Sequence, residues 1–108
     1  MDELTERILA VVERIPAGRV LSYGDVAALA SAATAWEVGQ VLNRHGNRVP
    51  WWRVLRADGT VAPHLRDHQL ALLRAEGTPM DPYADGVDLA RARWPAAGGP
   101  PAQPSLFE

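Results

Sequence analysis

Residues 22–44 read SYGDVAALASAATAWEVGQVLNR and hold two helix-start signals twelve positions apart. In Ser22-Tyr23-Gly24-Asp25 an N-cap serine is followed three residues later by an acid, which opens a short helix through Val26 to about Leu29. Thr34-Ala35-Trp36-Glu37 is the fuller T-x-x-E capping box. It opens a helix to about Arg44, with Val38, Val41 and Leu42 facing inward. Small residues from Ala30 to Ala33 leave room for only a tight turn between the two. This pattern predicts a helix-turn-helix whose second member is the recognition helix.

The flanks fill in a small domain. Leu4, Ile8, Val11 and Ile15 follow helical spacing until Pro16 and Gly18 stop them. From Arg53 to Arg56, then through Ala57-Asp58-Gly59 to Thr60 and Val61, the sequence predicts a short β-hairpin with a glycine-containing turn. Leu65, Leu70, Leu72 and Leu73 predict a helix ending at Glu76 with Gly77 as its cap, and a further short one is expected from Val87 to Trp94. The last stretch, PAAGGPPAQPSLFE, is too rich in proline, glycine and alanine to build a core. The expected fold class is α/β, mostly α. It is a single winged helix-turn-helix-like domain over residues 1–94 with a short β-hairpin and a disordered tail over 95–108.

A chain of 108 residues supports one small core. It has no apolar run near the roughly 18 residues of a membrane span, and its acidic, amphipathic start is unlike a signal peptide. A cytoplasmic monomer with no membrane partner is expected. The absence of cysteine excludes disulfides, thiolate zinc sites and thiol nucleophiles. His64 and His68 have metal-ligand spacing, but no third ligand is evident and Arg66 and Asp67 between them suggest a solvated face, so neither metal nor cofactor is expected. The net charge of −2 hides a gradient. Arg44, Arg48, Arg53 and Arg56 face only Glu37 between positions 36 and 56, a local excess of +3 that suits an anion-binding face.

The basic segment contains VPWWRVLRADG, residues 49–59. Neighbours on an extended segment point to opposite sides, so one core-facing stripe cannot bury both Trp51 and Trp52. This stretch, together with IPAGRVLSYGDVAALA, VGQVLNRHGN and LALLRAEG, resembles the DNA-binding domain of the O6-alkylguanine-DNA alkyltransferases from about Ile15 to Gly77. That family's signature is Pro-Cys-His-Arg-Val, in which the cysteine takes the alkyl group and the histidine activates it. Here Trp51 stands at the cysteine position and Trp52 at the histidine position. The chain therefore resembles the family's non-enzymatic branch, the alkyltransferase-like proteins. Chemistry agrees, because an indole has a donor N–H and no usable lone pair at neutral pH.

The resemblance implies a lesion pocket of Trp51, Trp52, Tyr23, Pro50, Arg53 and Glu76. Tyr23 would help rotate the nucleotide out of the stack, and Asn43 would brace the turn after the recognition helix. Gly39 would let the backbone approach the minor groove, with Arg44 and Arg48 as phosphate contacts. Trp36 occupies the place of the family's finger arginine, which fills the gap left by the flipped base. The loop Thr60-Val61-Ala62-Pro63-His64 is about two residues shorter than in active relatives, which should open the pocket. The implied function is a non-enzymatic sensor of O6-alkylguanine in double-stranded DNA, nucleoid-associated when bound, flagging lesions for nucleotide excision repair proteins. A winged-helix DNA-binding regulator or adaptor without lesion recognition is the alternative. In the tail, Gln103, Ser105, Leu106 and Phe107 resemble the short peptide that binds the bacterial sliding clamp, with Pro104 in place of the usual leucine.

Overall fold

The computed structural model describes residues 2–83 and 86–95. Helix α1 (Glu3–Arg14) starts where the Asp2 carboxylate accepts the Thr5 N–H at 2.7 Å. Such a cap contributes about 1 kcal/mol. The burial of Ile8, Leu9, Val11 and Val12, at roughly 1.5–3 kcal/mol for each full side chain, is what holds the helix in place. The chain leaves α1 at Ile15, itself buried, and Pro16 cannot continue the ladder.

Both predicted capping boxes form. Helix α2 (Tyr23–Ala30) follows Ser22, whose hydroxyl accepts the Asp25 N–H while Asp25 accepts the Ser22 N–H. Helix α3 (Ala35–His45) follows Thr34, with Glu37 closing the second box. Between them Ser31 adopts the left-handed conformation, φ 58°, and the N–H groups of Ser31 and Ala32 return to Ala28 and Ala27. Those two bonds make a Schellman turn, which brings α3 back across α2.

The strands depart from expectation. Strand β1 (Leu21–Ser22) pairs in parallel with β2 (Val54–Leu55), so residues 54–55 find their partner more than thirty positions upstream. The Asp58-Gly59 turn does form: Gly59 donates to Arg56, and the Arg56 N–H reaches Thr60. Thr60 and Val61 nevertheless form no strand, and Pro63 opens a 3-10 turn two residues later. Gly59 instead backs onto Val87, where a Cβ would come within 2.6 Å of the Val87 carbonyl oxygen. The α/β, mostly α character stands; the two-stranded pair is parallel, not a hairpin.

Helix α4 (Arg66–Ala75) ends at Glu76, with Gly77 at φ +78° beyond it, as the leucine spacing predicts. The expected helix over 87–94 shrinks to α5 (Leu89–Ala92). Its flanks serve pairing: Val87 bridges Met80, and Arg93 bridges Val20. Neighbouring strand residues split between two cores. Leu21 and Val54 join the core of α1, α2 and α3, whereas Val20 and Leu55 join Val61, Leu70, Leu73, Val87 and Ala92. The sheet is the partition between them. Among the described residues no helix is long and apolar enough to cross a membrane. The tail beyond residue 95, with its expected disorder and clamp-like peptide, lies outside the described residues.

Candidate nucleic-acid interface

A cavity of about 610 Å³ opens beside α3. Tyr23 at the start of α2 lines it together with Trp36, Gly39 and Asn43 of α3. Trp51, Ala62, His64 and Leu65 also line it. At 70% exposure Trp36 is a rim residue rather than a packed one. A Cβ built on Gly39 would meet nothing within 4 Å, so packing does not require glycine there; its absence leaves bare backbone facing the cavity. The Glu37 carboxylate is held by the N–H groups of Ala33 and Thr34 at 2.9 and 3.0 Å, which turns its charge onto the α3 start. Burial raises the Tyr23 pKa above its ordinary value, with Arg56 pulling weakly the other way. The phenol is therefore a neutral hydroxyl at physiological pH.

The two tryptophans part company through local geometry. Residues Trp51–Arg53 form a single 3-10 turn, not an extended segment. Its three residues per turn send successive side chains about 120° apart. Trp51 enters the cavity, and Trp52 meets it edge to face, centroids 6.0 Å apart and planes at 87°. The Trp52 indole N–H donates to Glu76 at 3.0 Å, and its ring packs on the second core. Arg53 lies 5.3 Å from the Trp52 ring centroid, grips both Glu76 oxygens, and donates to the Ile15 carbonyl at 2.7 Å. Burial pushes the Glu76 carboxyl upward, but the bonds from Arg53 and Trp52 outweigh it and hold the group below its ordinary 4.5.

The expected lesion pocket therefore divides. Tyr23 and Trp51 share the cavity with Trp36, Gly39 and Asn43. Trp52, Arg53 and Glu76 form a polar brace outside it, because the 3-10 turn directs Trp52 and Arg53 towards Glu76 at the end of α4. Pro50 and Arg48 border a separate cleft of about 390 Å³ beside Trp52 and Arg53. Arg44 faces a third hollow, with Asp2, Thr5 and His45, on the α1 side of α3. Neither arginine is brought onto the cavity that holds Trp51. Gly46, Asn47 and Leu65 line the cavity without having been expected at the site; the first two close the VGQVLNRHGN stretch, and Leu65 belongs to the leucine spacing. His68, considered only as a metal ligand, lies against Trp51 instead, centroids 5.9 Å apart. No cluster suited to a metal exists among the described residues.

Fold and cavity together define a helix-turn-helix pair carrying an aromatic pocket beside its second helix. The model of the family described as 6-O-methylguanine DNA methyltransferase, DNA binding domain, matches residues 3–78. The chain belongs to this family, as an alkyltransferase-like member. Over 99 residues it is 42% identical to a DNA base-flipping protein of Escherichia coli strain K12, covering 86% of this chain and 75% of that one. A DNA base-flipping protein of Vibrio parahaemolyticus is 32% identical, with 87% and 98% covered. The structure of S. pombe Atl1 in complex with damaged DNA containing O6-carboxymethylguanine superposes with a TM-score of 0.75. It is 28% identical, over 87% of this chain and 96% of that one. A second S. pombe ATL structure in complex with DNA gives 0.74.

Proposed function

We propose that this chain is a non-enzymatic DNA-damage sensor that docks α3 on duplex DNA and receives a flipped O6-alkylguanine in the Trp51 cavity. The observation that carries the reading is the joint placement of Tyr23, Trp36, Asn43 and Trp51 around one cavity wide enough for a base. An indole at position 51 stacks on a base and cannot accept its alkyl group. The chain has no cysteine to do so elsewhere. Trp36, exposed at the rim, would stack in the gap left by the flipped nucleotide. The bound lesion would then be handed to nucleotide excision repair.

Duplexes carrying one labelled O6-methylguanine test both halves of the proposal. Tighter binding than to the unmodified duplex is expected, with all label remaining on DNA. Label on the protein, or equal affinity for both duplexes, refutes it. Residues 103–107 would add delivery to replicating DNA through the sliding clamp. The residue 95–108 peptide should bind purified clamp and lose binding on Phe107→Ala; silence from the unaltered peptide at high micromolar concentration ends that part.

A further inference from the structure

Among the described residues the Trp51 indole has two aromatic neighbours. Trp52 meets it edge to face. The His68 imidazole sits beside it, tilted, at 5.9 Å between centroids and 33° between planes. The Trp51 Cβ lies close to Gly46, where an added Cβ would come within 3.4 Å of it. The position of His68 is itself fixed. Its neighbour Gln69 is 2% exposed, and one amide nitrogen donates to the carbonyls of both Trp52 and Val54 at 3.0 Å. Those bonds set the register of α4 against the 3-10 turn one residue from His68. His68 itself is exposed and belongs to neither core, so its ring contact is with Trp51 at the cavity rather than with the interior.

We infer that His68 is a positioning residue for lesion selection, holding the Trp51 ring at the orientation against which a flipped base stacks. This rests on reading the Trp51 cavity as the lesion pocket. A ring already fixed loses no rotational freedom when the base arrives, so the benefit falls on the flipped state and not on duplex docking. Aromatic contacts of this kind correspond to roughly two- to tenfold in affinity.

The test measures affinity for a duplex containing one O6-methylguanine and for the same duplex with guanine, using the full chain and its His68→Ala and His68→Phe variants. His68→Ala should reduce the preference for the lesion roughly two- to tenfold. Its affinity for the unmodified duplex and its melting temperature should match the unaltered chain. His68→Phe should restore the preference, because it returns an aromatic face. An unchanged preference in His68→Ala, a fall in affinity for both duplexes alike, or a His68→Phe variant as impaired as the alanine one overturns the inference while leaving the lesion pocket standing. An unaltered chain that binds both duplexes equally overturns the pocket reading and the inference together.

Discussion

Arg53 meets Glu76 across 23 positions of sequence, and their side chains are only 15% and 16% exposed. Because the fork is this well shielded, losing one partner leaves the other poorly solvated, a cost of roughly 1–3 kcal/mol. Glu76→Gln should lower stability by about that amount at neutral pH. The sign with pH follows from the depressed carboxyl. A group bound less tightly to its proton when folded contributes above its unfolded value, here 4.5, and loses that contribution as pH falls through the folded one. Chemical denaturation from pH 7 down to pH 3 should therefore show the variant's stability flatter with acid than that of the unaltered chain. Parallel curves would mean that Glu76 titrates alike in both states. The sequence brought Trp52, Arg53 and Glu76 to notice but grouped them with Trp51. Pro-Trp-Trp-Arg carries no periodic signal from which a 3-10 turn could be read.

At the scale of elements the Schellman turn sets the approach of α3 to α2, and it does so with a serine. Ser31 is the one non-glycine residue at positive φ among the described residues, and it is exposed. The left-handed conformation costs an L residue about 1–2 kcal/mol, of which glycine's extra freedom in the unfolded chain takes back about 0.4–1. Ser31→Gly should thus raise stability by roughly 0.5–1 kcal/mol, seen as a few degrees in a melting curve. A lower melting temperature would show that the serine hydroxyl does work the hydrogen bonds do not reveal. Helices α2 and α3 were legible because a capping box is local: Ser22 with Asp25, and Thr34 with Glu37, each lie within four residues. The predicted hairpin failed for the opposite reason. Val54 and Leu55 choose between the adjacent Thr60-Val61 and the distant Leu21-Ser22, and burial on both faces of the sheet favours the distant pair. Nothing within ten residues encodes that preference.

Across the whole molecule, the segment Val20–Ser22 is paired on both of its edges with distant stretches of chain. On one edge it meets Val54 and Leu55. On the other, the Val20 N–H donates to Ala92 and its carbonyl accepts from Trp94, at 3.0 and 2.9 Å. The Arg93 guanidinium then reaches Asp25, at 2.9 and 2.6 Å, where that carboxylate already caps α2. Chains are made from the first residue onward, and their early parts fold as they emerge. On the ribosome α1, α2 and α3 can gather as soon as they appear, since their contacts span short stretches of sequence. Val20 must wait, one edge unmatched, until residues 92–94 leave the exit tunnel, and the brace from Arg93 onto Asp25 waits with it. A nascent chain stalled before that point holds a start to α2 that Arg93 has yet to secure.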